Sequence, residues 1–146
     1  MSAIVIRRVA AAELINLRHV VLRPGYPRDT VVFPGDDAPS SHHFAAFDDA
    51  RAVCCVSFHL DQYNGKPAFQ LRGMATAADY RNRGIARDLL QFAHRAILES
   101  SPIRLYWCNA RTSAAGFYQK QGWRIDSEEF IISPSGPHYR MIKSIA

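Results

Sequence analysis

The residues with the clearest chemical potential are Asp79-Tyr80-Arg81-Asn82-Arg83-Gly84-Ile85-Ala86, a basic, glycine-containing turn between an apparent strand and a helix. Behind it, Ile85, Ala86, Leu89, Leu90, Ala93 and Ile97 recur at helical spacing and suit a face laid against a sheet. Arg87, Asp88, Gln91, Arg95 and Glu99 then face water. The turn therefore sits at a helix N-terminus. Free backbone N–H groups and the positive end of the helix dipole favour an anion there, and Arg81 and Arg83 add charge. The expected chemistry is phosphate binding, with Gly84 letting the main chain approach the ligand closely.

Two other groupings suggest chemistry at first sight. His42-His43, with Asp36-Asp37 and Asp48-Asp49, has the residue types of a metal site. Neighbouring side chains on a strand point to opposite faces, however, and paired Asp residues commonly make turns, so no metal is expected. Either His remains a candidate for lining a substrate pocket. Cys54, Cys55 and Cys108 are an odd set without metal-ligand spacing, which reads most simply as a reduced, cytoplasmic protein. Cys108 lies in an apolar strand, a packing environment rather than a nucleophile's.

The elements that must hold the turn follow from the order of the chain. At 146 residues, 48% hydrophobic and 21% charged, it suits a single folded domain spanning residues 1–146. Nothing approaches the ~20 apolar residues of a membrane span, and the start lacks a signal pattern. A net charge of +5 could serve nucleic acid, acidic lipid or a phosphate-bearing cofactor; the arginines scatter along the chain, so no nucleic acid is expected as a partner, and without a span no membrane is. Ala3 to Val9 reads as a strand. A helix then carries Leu14, Leu17, Val21 and Leu22 on one face. From Pro24 to Ser41 the period disappears, giving a long loop that is a candidate substrate wall or lid. His43 to Phe47 and Ala52 to Gln62 form a hairpin, and Asn64-Gly65 turns the chain into a third strand, Ala68 to Thr76. Gly73 there marks a bulge or a close backbone approach. After the amphipathic helix come a buried strand from Ile103 to Cys108 ended by Asn109, a short helix from Ser113 to Gln121 capped by Gly122, two strand pieces, and a last strand from His138 to Ile145. Strands before and after helices make a mixed α/β sheet.

Strand, Arg-x-x-Gly-x-Ala, amphipathic helix, Asn-ended strand and a helix bearing Phe-Tyr-x-x-x-Gly-Trp together resemble the GCN5-related N-acetyltransferase (GNAT) superfamily. Arg81 to Ala86 is similar to its pyrophosphate loop. Asn109 and Ala114 to Trp123 resemble its second half, and Gly136-Pro137-His138-x-x-Met141 resembles one branch whose members end in such a strand. The last half of the chain carries the likeness, and the first agrees in element order only. The resemblance implies a mixed, mainly antiparallel central sheet flanked by helices. It also implies transfer of an acetyl group from acetyl-CoA to an amine by direct attack in a ternary complex, with no covalent acyl-enzyme and with room for a homodimer.

On that resemblance the roles distribute as follows. Arg81, Asn82, Arg83, Gly84, Ile85 and Ala86 would hold the pyrophosphate. Backbone groups of Met74, Ala75 and Thr76 would receive the pantetheine arm, as when a strand is added to a sheet edge. Asn109, with Phe117, is assigned to cofactor binding, although Asn109 could equally cap the next helix. Tyr118 would donate a proton to the departing thiolate. An amine of pKa near ~10.4 costs about 4 to 5 kcal/mol to deprotonate at neutral pH, so a base is wanted. His138 is the first candidate, with Glu128 and Glu129 as rivals. The acceptor, a small-molecule or peptide amine, stays unassigned. The alternative is an inactive CoA-binding module of the same fold.

Overall fold

The computed structural model describes residues 3–145. It has two compact units, one running to His59 and including Gly73–Ser101, the other made of Leu60–Arg72 and the chain from Pro102 onward. Two long strands, β3 (Arg51–Tyr63) and β4 (Lys66–Thr76), contribute residues to both.

In the first unit β1 (Ile4–Arg8) pairs antiparallel with β2 (His42–Asp48), and β2 pairs antiparallel with β3 through a turn at Asp49, whose φ is 53°. His43 stands opposite Ser57 and Phe44 opposite Val56. Alternation then sends successive side chains to opposite faces. One face meets α1 (Ile15–Leu22), where Ser57 bonds Arg18. The other meets α2 (Ile85–Ser100), with Phe44 edge-on to Phe92 at 6.0 Å and Phe58 5.6 Å from His94. Ile85, Leu89, Leu90, Ala93 and Ile97 are the buried stripe of α2, as their spacing predicts. Burying each of the larger ones stabilises the unit by about 1.5–3 kcal/mol. Ala86 is only half-buried, and buried His94 joins the stripe in a place where an apolar residue would be expected.

The second unit is organised on β8 (Gly136–Ser144). It pairs antiparallel with β5 (Leu105–Arg111), β6 (Arg124–Ile125) and β7 (Phe130–Ile132). Parallel pairing joins Phe69 to Tyr106 and Gln70 to Trp107. The chain is thus mixed α/β with mostly antiparallel pairing and helices against the sheet, as expected. Three expectations are corrected. β5 does not end at Asn109 but continues to Arg111, because Ala110 and Arg111 still pair with Tyr139 and His138. It also alternates buried and half-buried residues instead of being buried throughout. The following helix, α3, is shorter than its sequence suggests, Ala115–Lys120 after a tight 3-10 turn at Thr112–Ala114, and Gly122 at φ 91° turns the chain out of it. Among the described residues no helix is long and apolar enough to cross a membrane.

Candidate active site

The turn predicted to hold phosphate lies in the first unit between β4 and α2. Asn82 and Gly84 both take left-handed backbone conformations, φ 61° and 78°, and Gly84 is the N-cap of α2. Having no side chain, Gly84 supplies no capping hydrogen bond. The first N–H groups of α2 are therefore left to solvent or to a ligand, an arrangement that fits an anion. A Cβ at Gly84 would fall 2.7 Å from Arg87 Nη2. The approach to the turn is held by Arg51, which donates to both oxygens of Asp79 at 3.0 and 3.1 Å and thereby keeps that carboxyl below its ordinary range. Arg51 and Arg83 lie over the Tyr80 ring at 5.2 and 4.8 Å, and the Tyr80 hydroxyl donates to Asp48, which raises the phenol's pKa. Arg81, Asn82 and Arg83 are all exposed. Beside the turn opens a cavity of about 660 Å³, lined among others by Asn16, Val20, Phe47, Arg51, Ala77 and Arg81.

Met74, Ala75 and Thr76 close β4 just ahead of this turn. Ala75 is buried, and Met74 and Thr76 are half-buried, with the Thr76 hydroxyl 3.2 Å from Cys54 Sγ. Gly73, predicted to mark a close approach, has φ 62°, and a Cβ there would come within 2.9 Å of both Arg18 Nε and the Phe33 ring.

Behind Gly73 is a buried polar cluster that the sequence reading missed. Arg18, fully buried, donates through Nη1 to Asp36 Oδ2 at 2.7 Å and to the Val31 carbonyl at 2.9 Å. Through Nη2 it donates to Asp36 Oδ1 at 3.1 Å and Ser57 Oγ at 2.7 Å. His43 Nε2 lies 2.7 Å from the Asp36 carbonyl, which can only accept, so Nε2 carries the hydrogen and Nδ1 accepts from Ser57 Oγ at 2.6 Å. His59 Nε2 lies 2.9 Å from Asp36 Oδ1. Burial alone would raise the Asp36 pKa. Hydrogen bonds from Arg18 and the Phe33 N–H, the Arg18 charge and the His59 contact outweigh it and hold the carboxyl below its usual value. His42 points the other way, accepts from Arg8 Nη1 at 2.7 Å, and has its pKa lowered by burial and by the Arg8 charge. The adjacent histidines thus face opposite sides, as strand geometry requires.

In the second unit Tyr118 is buried on α3, its ring edge-on to Phe117 at 5.3 Å and to Trp123 at 5.5 Å. His138, buried at the start of β8, has Nδ1 2.7 Å from the Gly136 carbonyl and stacks on Phe130 at 6.2 Å. Asn109 and His138 share one face of the β5–β8 pair, Asn109 opposite Arg140 and Arg111 opposite His138. Asn109 caps no helix. Arg111 occupies the cap position, and Asn109 Oδ1 accepts from Arg140 Nε at 3.3 Å. Glu128 and Glu129 are exposed between β6 and β7. Burial pushes the thiols of Cys54 up to about 11 and of Cys55 and Cys108 up to about 12, so none is a thiolate at neutral pH.

The chain is similar to known proteins in sequence and in fold. The acetyltransferase (GNAT) domain pattern matches residues 39–125. The uncharacterized N-acetyltransferase YitI of Bacillus subtilis strain 168 is 30% identical over 143 residues, which cover 96% of this chain and 95% of that protein. Among solved structures, an acyl-CoA N-acyltransferase from Pseudomonas aeruginosa superposes with a TM-score of 0.77 at 16% identity over 99% of this chain and 100% of its own. An aminoglycoside 6'-N-acetyltransferase complexed with coenzyme A does so at 0.75 and 14% identity over 97% of each chain. These two show a shared fold. The domain match spans more than half of the sequence and YitI aligns along almost all of it, so the chain belongs to the GNAT acetyltransferase family.

Proposed function

We propose that the protein moves an acetyl group from acetyl-CoA to an amine acceptor by direct attack in a ternary complex. The observation that carries this reading is the N-terminus of α2 behind Asn82 and Gly84, where a left-handed backbone and the lack of a side-chain cap leave main-chain N–H groups that would suit an anion. Arg81, Asn82, Arg83, Gly84, Ile85 and Ala86 would hold the pyrophosphate. Main-chain groups of Met74, Ala75 and Thr76 would receive the pantetheine amides, and Asn109 and Phe117 would border the arm. Asn109 gives its Oδ1 to Arg140 and keeps its amide N–H groups for a ligand. Acetyl-CoA would supply the activated acetyl thioester.

The chain's own task is then to manage protons. His138 donates its Nδ1 hydrogen to the Gly136 carbonyl, so the neutral ring has its lone pair on Nε2. That atom would take the proton of the attacking amine, which otherwise costs about 4 to 5 kcal/mol to remove at neutral pH. The Tyr118 hydroxyl would return a proton to the departing sulfur, and a phenol, with an ordinary pKa of about 10, holds its proton at neutral pH. Glu128 and Glu129, exposed to water, have less to offer as bases.

The test is thiol release from acetyl-CoA across an amine panel, with CoA affinity measured calorimetrically in parallel. Turnover with at least one amine, about 100-fold slower in Tyr118→Phe at unchanged CoA affinity, is the expected result. Gly84→Val is expected to lose CoA binding, since valine resists positive φ. Tight CoA binding with inertness toward every amine would point instead to a CoA-binding module without transfer. Normal affinity in Gly84→Val would remove the cradle.

A further inference from the structure

We infer that the acceptor amine carries an acidic oxyanion, a carboxylate or a phosphate, and that Arg140 on β8 is the residue that selects it. The inference rests on the acetyl-transfer reading above and narrows its substrate class.

Arg140 is half-buried, and its guanidinium sits between two aromatic rings, 5.4 Å from the Trp107 centroid and 5.5 Å from that of Phe130. Tyr63 backs the Trp107 ring at 5.8 Å. Among the described residues its side chain makes one hydrogen bond, from Nε to Asn109 Oδ1. Among the described residues no carboxylate pairs with it, and its two terminal nitrogens have no acceptor. The nearby acid, Asp126, is already engaged by the Tyr63 hydroxyl at 2.5 Å and by Arg124 at 3.3 Å. Ring faces attract the cation but offer no in-plane acceptor to its N–H groups. Rings and Asn109 therefore fix the plane and the inner edge of the fork and leave its outer edge for a ligand. A planar fork held in this way matches two oxygens of a carboxylate or phosphate. The Trp107 indole N–H is likewise buried with no acceptor among the described residues.

Position on the strand ties this fork to the proposed chemistry. His138 lies two residues before Arg140 on the same face, about 7 Å along β8 at the ordinary strand rise. An amine at His138 Nε2 and an oxyanion at the Arg140 fork would thus belong to one small molecule, with a few bonds between the two groups. Arg111, opposite His138, adds a second cation to that face.

The experiment compares acids with their neutral counterparts: L-amino acids against their carboxamides, and phosphoethanolamine against ethanolamine. Thiol release and calorimetric binding of each amine are followed in the wild type, Arg140→Gln, Arg140→Lys and, as a control on exposed α2, Arg95→Gln. The expected result is a wild-type preference for one acid family of about 10- to 100-fold in kcat/KM, the worth of a hydrogen bond to a charged group. The preference should collapse in Arg140→Gln, be partly kept in Arg140→Lys and be intact in Arg95→Gln. Equal use of acids and neutral amines by the wild type, or a preference that survives Arg140→Gln, overturns the inference. If no amine is acetylated, the transfer reading fails by itself and binding decides the inference: acid binding lost in Arg140→Gln supports it, and no acid binding to the wild type sinks it.

Discussion

Arg18 and Arg140 both lie against aromatic rings, and the protein treats them in opposite ways. Arg18 is fully buried with both terminal nitrogens filled from within by Asp36, Val31 and Ser57, and its guanidinium lies 4.2 Å from the Phe33 ring. Arg140 is half-buried, held by two rings and one amide, with its fork unfilled among the described residues. An arginine whose terminal nitrogens are filled by its own chain fastens structure: here it ties α1 to the loop 24–41 and to β3. An arginine oriented but not saturated is fitted for a ligand. Aromatic contact alone would group the two, and the acceptors around each separate them.

The sharpest way to break this comparison is to remove each head group. Arg18→Met leaves the Asp36 carboxylate buried without its cation and is expected to cost about 3–5 kcal/mol in denaturant unfolding. A loss below about 1 kcal/mol would mean that the cluster is no fastening. The same penalty should depend on pH. Asp36 has a folded pKa below its ordinary 3.8, so the stability it contributes is present above that value and is lost as pH falls through the folded one. Unfolding free energies of wild type and Arg18→Met, followed from neutral pH down through the carboxylate range, should therefore converge at the acid end. Parallel curves would assign the penalty to packing instead. A smaller effect is expected at Gly73. Alanine there must adopt φ 62° and meet Arg18 and Phe33, and we expect a loss of about 1–2 kcal/mol. A melting temperature equal to wild type would show that the cluster yields easily. Least of all, Arg140→Met should change unfolding free energy by no more than about 0.5 kcal/mol. A loss as large as that of Arg18→Met would erase the distinction.

The two arginines also show what a sequence can and cannot disclose. The glycine turn before α2 was legible because its parts are neighbours: Arg81 to Ala86 and the stripe from Ile85 to Ile97 speak through local period and backbone chemistry. Asn64-Gly65 was equally readable, both residues taking positive φ at the hairpin. Arg18 was not. It follows Leu17 on a short helix, where a charge reads as a solvent-facing residue, and its partners Asp36 and Ser57 lie 18 and 39 residues away. Asp36-Asp37 and the long loop were noticed, yet only the register of His43 with Ser57 gathers them into a cluster. Arg140 needed the β5–β8 register to meet Asn109, and the same pairing carries β5 past the point where Asn109 alone suggested an end. The proposed proton carriers Tyr118 and His138 were named from resemblance. Structure adds the tautomer that the Gly136 carbonyl imposes on His138.

Gly73 has a further consequence. At Gly73 β4 has no side chain, and the guanidinium of Arg18 and the ring of Phe33 occupy the volume that one would have filled. The strand is wedged from behind at the residue immediately before Met74, Ala75 and Thr76. If Met74 to Thr76 meet a ligand's amides as proposed, a segment braced in this way would have little conformational freedom to surrender on binding. Loosening the wedge should therefore show in calorimetry as a more unfavourable entropy of CoA binding, even though none of the wedging side chains is proposed to touch the cofactor.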